Sequence, residues 1–537
     1  MTSRFSRFKK TTTQIFATAL VAGLLVPVAA CSGGASQADA KETGSVPVRG
    51  GVLHYGTKSE PGNGGLDPMT ATVYSSTAII NQIYEPLIVK DDSGELQPNL
   101  ATEWNQVDDL TYDFTVRKGV KFADGSDLTV SDVIWTFQYA KDKSPQSKAA
   151  LLKELDSITD KGNNVIEFRF KKPNPSFLSG VADRTYGFYI IDQQWYENAS
   201  DTERQTTSNG TGPFALKAWN KGTSVELERN KHYWQEGKPY LDGISFDVTG
   251  DETSLLALVQ QGQVDAAWFW KPELAQQAKD AGWVLGDLQQ TSTRFLFIDP
   301  HYDKGVLADT NIRKALSKAI DRNEIISIGT QGRGSLTFAT PPAFTELEQA
   351  SEDAPNYTYD PEGAKKLLAD SPNPHPTISV AYDAESADAA VFELLKDQVS
   401  KVGINLELRP VPYEQIQGIF TTGDDFIADL VYVQDVIGSD PADSISWWLE
   451  TGSNVDRWGS DKQAAEAKAL LAKIKQNTDA AERVEQINEL NDLINRDVLT
   501  ITPFATPLTY QVWSSRLHGY KTDPSDFRYH LADAWLS

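Results

Sequence analysis

The sequence predicts an α/β fold made of more than one compact unit, and three observations predict it. The chain has 537 residues, 40% apolar and 23% charged, which suits large buried cores and excludes a disordered chain. At roughly 100–200 residues per domain, that length implies three or four compact units or two large ones. Stretches alternating apolar and polar residues are interleaved with stretches of helical spacing. One junction reads helix, glycine, strand: a helix from about Ala387 ends at Gly403, and Ile404, Leu406 and Leu408 alternate directly after it, the local order of α/β folds.

Residues 51–55 read as a first strand. Thr129 can cap a helix with Val133, Ile134, Phe137 and Ala140 on one face. Residues 164–170 alternate as a half-buried strand. Ile312, Ala315, Leu316, Ala319 and Ile320 share a helical face, and the run Asp321-Arg322-Asn323-Glu324 offers a capping box. Asp360-Pro361 starts another helix, because a carboxylate accepts the orphan N–H groups and proline fits the first turn. No tandem repeat is visible.

Lys and Arg number 50 against 74 Asp and Glu, a net charge of −24. That excludes a general nucleic-acid binder, which needs a phosphate-neutralising excess. It also disfavours peripheral binding to anionic lipid. The single cysteine, Cys31, excludes internal disulfides and thiolate-rich zinc or iron–sulfur sites.

The first 30 residues carry Arg4, Arg7, Lys9 and Lys10, no acid, and an apolar run from about Ile15 to Ala30. A basic head before a short apolar core reads as a secretory signal, short of the ~20 apolar residues of a spanning helix. The run ends Val28-Ala29-Ala30-Cys31-Ser32, which resembles the bacterial lipobox. That motif implies cleavage before Cys31 and diacylation of its sulfur. Ordinary cleavage with Cys31 incidental is the alternative. Residues 32–48 are rich in Gly, Ser, Ala and charge and read as a flexible tether. The expected protein is exported, held by lipid at the outer face of the cytoplasmic membrane, and otherwise soluble.

The six histidines (54, 232, 301, 375, 518 and 530) form no His-x-x-x-His pair, and no Gly-x-Ser-x-Gly elbow occurs. The run from Gly329 to Gly334 lacks the Lys-Ser/Thr ending of a phosphate loop and reads as a flexible loop. Carboxylates are abundant, but none is picked out as a catalytic pair. The sequence gives no positive sign of an enzyme, a resident metal or a cofactor. Aromatics say more. Trp268-Phe269-Trp270 follows the strand-like 264–267, and Tyr432 and Asp435 lie just beyond the strand-like 427–431. Rings at strand ends near a carboxylate suit a small-molecule cleft, the rings supplying apolar area and the carboxylate pairing a cation. Core packing is the competing role for each ring.

The mature chain resembles the family 5 extracellular solute-binding proteins, the peptide and nickel class of lipoproteins that serve ABC importers. The resemblance runs in order through Gly50-Gly51-Val52-Leu53, Leu66-Asp67-Pro68, Tyr84-Glu85-Pro86-Leu87 and Pro98-Asn99-Leu100-Ala101. It continues through Phe114-Thr115-Val116-Arg117-Lys118-Gly119-Val120 with Asp124-Gly125, then Gly210-Thr211-Gly212-Pro213-Phe214 and Arg229-Asn230-Lys231-His232-Tyr233-Trp234. Asn311-Ile312-Arg313-Lys314-Ala315-Leu316 with Ala319-Ile320-Asp321-Arg322, then Tyr359-Asp360-Pro361 and Val402-Gly403-Ile404, complete it.

The resemblance implies a large, two-lobed periplasmic-binding-protein-like fold of type II, with an extra subdomain and two hinge crossings. The expected division is a signal peptide (1–30), lipidated tether (31–48), first lobe (49–84), extra subdomain (85–205), first lobe again (206–298), second lobe (299–499) and a C-terminal return to the first lobe (500–537). Crossings are expected near 295–298 and 500–504. In peptide-binding members an aspartate of the second lobe pairs with the ligand's α-amino group, shortly before an Asp-Pro and three residues after an aromatic. Asp435 fits, with Tyr432 ahead and Asp440-Pro441 behind. Two features depart from the pattern: the gap to Asp440 looks long, and tyrosine replaces the commoner tryptophan. Asp429 is a second candidate. Tyr74, Trp268 and Trp270 are implied cleft-wall residues of the first lobe. The expected function is capture of an oligopeptide or dipeptide for an ABC permease by a monomer that binds no nucleic acid. Alternatives are a binding protein for a nickel–chelator complex, oligosaccharide or other small metabolite, an exported hydrolase, and a sensory or interaction protein on the same fold.

Overall fold

A computed structural model describes residues 46–537 apart from 63, 72, 92–93, 145, 184–186, 287–291, 299–304, 352, 385–388, 422–426, 437–439, 450–461, 498–499, 503, 507–508 and 522–530. Cys31, the leader and most of the tether lie outside the described residues. Among those described, no helix is long and apolar enough to cross a membrane.

Strand β1 is Val52–Thr57. The chain then builds a separate four-stranded antiparallel sheet from β2 (Ala101–Asp108), β3 (Thr111–Val116), β4 (Leu155–Gly162) and β5 (Val165–Phe170), in the order β2-β3-β5-β4. Alternation along β3 and β5 turns one face inward, as period-two patterning requires. That face and the helix Val130–Lys143 enclose Phe114, Phe122, Phe137, Phe168, Phe170 and Phe177, all buried. The helix starts where the sequence predicts, with Thr129 and Asp132 in a reciprocal capping box.

The chain returns to β1 through β6 (Phe214–Asn220), β7 (Ser224–Arg229), β8 (Gly243–Val248), β9 (Ala266–Phe269) and β10 (Val284–Leu285). It then leaves for a five-stranded sheet made of β11 (Ser292–Ile298), β12 (Thr377–Asp383), β13 (Asn405–Val411), β14 (Leu430–Val436) and β15 (Ala505–Thr506). It re-enters the first sheet as β16 (Tyr510–Trp513). The first sheet reads β10-β16-β9-β1-β8-β7-β6 and the second β13-β12-β14-β11-β15. In the first, β1 runs parallel to β8 and β9, while β16 runs antiparallel to β9 and β10. In the second, β12, β13 and β14 are parallel, and β11 runs against β14 and β15.

Two strands are longer than the sequence suggests. Trp268 pairs with Gln511 inside β9, and Tyr432 pairs with Leu296 inside β14. Neither lies beyond its strand, because distant partner strands extend the ladder past the apolar run. The stretches expected at the crossings, 295–298 and 500–504, lie on β11 and just ahead of β15, both in the second sheet. The switches between sheets occur between Gly286 and Ser292 and between Thr506 and Tyr510.

The second sheet's core follows the predicted helical face: Ile312, Ala315, Leu316, Ala319 and Ile320 are all buried. Two arginines are buried among them. Arg313 donates to the carbonyls of Leu307 (2.9 Å) and Asp497 (3.3 Å). Arg322 donates to the carbonyls of Thr502 (3.1 Å), Ser317 (3.1 Å) and Tyr357 (3.3 Å) and to the Ser317 hydroxyl (2.9 Å), and it sits 4.3 Å from the centre of the Tyr357 ring. Asp321 and Asp360 cap their helices, accepting from Glu324 N (2.9 Å) and Gly363 N (2.8 Å). The helix Ala389–Ser400 is followed by Gly403 at φ +100°, a value that favours glycine, and then by β13.

Replacing Arg322 with methionine leaves three buried carbonyls without their donor. Loss of about 3 kcal/mol or more in urea unfolding is expected. A loss below about 1 kcal/mol would show that the guanidinium does not tie the returning chain down.

Candidate functional site

The two switches share one property. β10 runs antiparallel to β16, so the chain leaves the first sheet at the end where β1, β8 and β9 finish, and it re-enters there at Tyr510, opposite Phe269. In the second sheet it arrives at Ser292, opposite Val436 at the end of β14, and departs from Thr506, opposite Ser292. Both joints therefore connect the carboxyl ends of the two sheets. That is where open α/β sheets bind ligands.

On the first side the three predicted aromatics come together. Tyr74 is the first residue of the helix Tyr74–Ile83. Its ring centroid lies 4.4 Å from that of Trp268 at 88° and 5.9 Å from that of Trp270 at 73°; the two indoles are 5.4 Å apart at 86°. These are edge-to-face contacts. Trp268 is buried, whereas Tyr74 and Trp270 are half-buried. The backbone N–H of Trp270 donates to the Glu252 carboxylate. Burial raises the pKa of Glu252, and that N–H with Lys58 and Lys271 pulls it back.

On the second side Asp435 is fixed by its backbone, paired with Thr293 of β11. Tyr432 is separate from the first-side aromatics. It is 4% exposed, and its ring stands edge-on to Phe392 at 4.7 Å, which in turn stacks on Tyr382 at 3.8 Å. Tyr432 is a core residue of the second sheet. Asp429 accepts from Ser379 N (2.8 Å) and Ser379 Oγ (2.7 Å), a staple between β14 and β12.

Sequence reasoning missed a set of polar side chains at the joints. Among the described residues, the buried Thr293 Oγ1, Thr506 Oγ1, Gln434 Nε2 and Arg333 Nε have no hydrogen-bond partner. The two threonines are 1% and 2% exposed. Such atoms are rare in native proteins and mark polar groups open to a ligand or water; pairing puts Thr293 on the face of the sheet that carries Asp435, and Thr506 and Gln434 on the other. Arg333 belongs to the glycine-rich loop. It donates to Gln276 Oε1 and lies 5.9 Å from the Tyr510 ring centre, so it bridges from the second sheet's side to the first at the return joint. Next to it, Ser335 and Ala505 exchange backbone bonds of 3.0 and 2.9 Å. The available signal was the polar run Thr291-Ser292-Thr293-Arg294 at the head of an otherwise apolar strand. Among the described residues no group of three or more His, Cys, Asp or Glu could hold a metal ion. Apolar rings on one side and polar groups on the other suit a small amphipathic solute.

An α/β chain of two lobes, joined twice through the carboxyl ends of their sheets, defines a two-lobed periplasmic-type binding protein. This chain belongs to the bacterial extracellular solute-binding proteins of family 5, whose middle-region model matches residues 95–457. It is 25% identical over 556 aligned residues to the oligopeptide-binding protein AppA of Bacillus subtilis strain 168, covering 98% of this chain and 100% of that one. It is 28% identical over 363 residues to the dipeptide-binding protein of Escherichia coli K12, covering 61% and 65%. The solved structure of Bacillus subtilis AppA in complex with a nonapeptide aligns with a TM-score of 0.73 at 22% identity, covering 92% of this chain and 100% of that one. CtaP from Listeria monocytogenes aligns at 0.78 and 22% identity, covering 91% and 99%. Both share the fold.

Trp268→Ala is expected to cost about 3–5 kcal/mol in denaturant unfolding, because a fully packed indole leaves a cavity among the aromatic edges. A cost within about 0.5 kcal/mol, the range of ordinary surface changes, would contradict its burial.

Proposed function

We propose that this protein captures short peptides between its two lobes and delivers them to the permease of an ABC importer. The observation that carries this reading is the pair of joints at the carboxyl ends of both sheets, with aromatic rings on one side and unpartnered polar groups on the other. The peptide-binding names of the relatives support the ligand class. The first lobe comprises residues 49–84, the region 206–286 and the C-terminal return, with 85–205 as its extra subdomain. The chain crosses between the lobes after Gly286 and again after Thr506, and closure is a rotation about these two crossings, driven by a ligand that touches both lobes.

Asp435 holds the ligand's α-ammonium, a charge-assisted bond of ~1.5–3 kcal/mol. Tyr74 and Trp270 form the opposite wall, with the buried Trp268 packed behind them. Tyr432, with its ring packed on Phe392, holds the strand that carries Asp435. Thr293, Thr506 and Gln434 meet the peptide's main-chain groups directly or through water. The protein works as an exported monomer, anchored by two acyl chains on Cys31 to the outer face of the cytoplasmic membrane. Two chains anchor stably where one is marginal.

Native mass spectrometry of the purified protein, followed by denaturing release, is expected to yield a mixed set of short peptides. A single non-peptide mass would overturn the peptide reading. Asp435→Ala is expected to weaken binding of a released peptide at least ~tenfold, about 1.4 kcal/mol. Equal binding of free-amine and N-acetylated peptide to the unaltered protein would remove the amine-pairing role. Cys31→Ser is expected to move the protein from the membrane fraction to the soluble one, and unchanged fractionation would sink the anchor.

A further inference from the structure

The four-stranded unit also touches the second lobe, through side chains that belong to neither joint. Asp440, which caps the helix Pro441–Leu449 through Ala442 N (2.9 Å), is 5% exposed and takes two bonds from Arg483, at 2.8 and 2.6 Å. The same guanidinium reaches Ser176 Oγ of the four-stranded unit at 3.4 Å. Asp443, one turn along the helix, faces the same serine, whose hydroxyl lowers its carboxyl pKa. Beside this group, Thr478 Oγ1 donates to Asp109 Oδ1 at 2.9 Å, on the turn between β2 and β3. These partners lie 307 and 369 residues apart in the chain, so the contact joins the four-stranded unit to the second lobe.

We propose that Ser176 with Asp440, Asp443 and Arg483 forms a clasp that holds the lobes closed and that tightens as the surroundings become more acidic. The clasp rests on the two-lobe closure proposed above, not on the identity of the ligand.

Four groups face Asp443. Burial raises its carboxyl pKa first and the Asp440 carboxylate second, while Lys475, Arg483 and the Ser176 hydroxyl lower it, leaving it at about 7 against an ordinary 3.8. Lys475 is itself held at Ser446 Oγ, 3.0 Å away. The sign follows from linkage. A clasped Asp443 keeps a proton that an exposed aspartate would release at neutral pH, so closing takes up a proton. Closure is therefore favoured as pH falls through about 7, by up to ~tenfold per unit, and the gain levels off near the ordinary carboxylate range. Above pH 7 the clasp must hold a second, half-buried carboxylate beside the buried Asp440. Arg483 is a poor site to test, because its loss strands Asp440 in the interior. Ser176 and Asp443 can be altered more safely.

The test is the distance between spin labels placed at Lys118 and Glu489, in ligand-free full-length protein carrying Cys31→Ser. The short-distance population should rise at least threefold between pH 8.5 and pH 6. Asp443→Asn should keep that population high at both values and abolish the pH response. Ser176→Val should lower it at pH 6, with an unchanged circular dichroism spectrum. Identical populations at both pH values, or a wild-type pH profile in Asp443→Asn, would overturn the clasp. Neither result bears on the peptide reading, which is judged by the masses released from the protein.

Discussion

The path by which the chain leaves the second lobe depends on a guanidinium buried without a carboxylate. Arg322 gathers the carbonyls of Thr502, Ser317 and Tyr357 around one planar fork. A lysine could not do this, since its ammonium lacks the fixed fan of donors and gives up its proton more readily when buried. Thr502 lies just ahead of β15, so the bond sets where the chain starts its return to the first sheet. Arg313 does the same a few residues earlier, at the carbonyl of Asp497. Both arginines belong to the stretch Asn311–Arg322 that carries part of the family resemblance. Their shared task explains why these two of the stretch's charged residues are buried.

With the return fixed, the rest of the cleft follows from strand direction. β11 runs against its neighbours, so its head and not its tail joins the carboxyl end of the second sheet. Ser292, Thr293 and Arg294 then stand beside the last residues of β14 and β15. β16 is inserted between β9 and β10, which fixes Trp268 through its pairing with Gln511 and puts Tyr510 beneath Arg333. The protein's net charge is strongly negative, yet the described side chains at the joints include two guanidiniums, those of Arg294 and Arg333. The charge of the whole molecule is therefore no guide to the charge of its cleft.

Much of this was legible in the sequence where the cause was local. The caps at Thr129, Asp321 and Asp360 were readable because donor and acceptor lie within four residues, and the turn at Gly403 because one backbone angle demands glycine. The alternation of β3 and β5 and the buried face at Ile312–Ile320 were readable from their periods. Strand ends were not. β9 takes in Trp268 and β14 takes in Tyr432 and Asp435 because strands far away in the chain extend the ladders, and β14 is buried on both faces, which erases alternation. The three aromatics Tyr74, Trp268 and Trp270 could be named but their contact could not, since a helix start and a strand end are brought together only by the first sheet. The polar set at the joints was illegible as a set. Thr293, Arg333, Gln434 and Thr506 come from four segments, and each alone resembles an ordinary surface residue.

The position of β16 also bears on the order in which the molecule can form. The strand lies inside the seven-stranded sheet, yet it is drawn from residues 510–513 of 537. Until synthesis reaches that point, β9 and β10 lack the neighbour that joins them, and the first sheet is left with a gap. The four-stranded unit has its own phenylalanine core and needs no such late strand. A chain made from its N-terminus therefore carries an unfinished sheet until residues 510–513 have emerged.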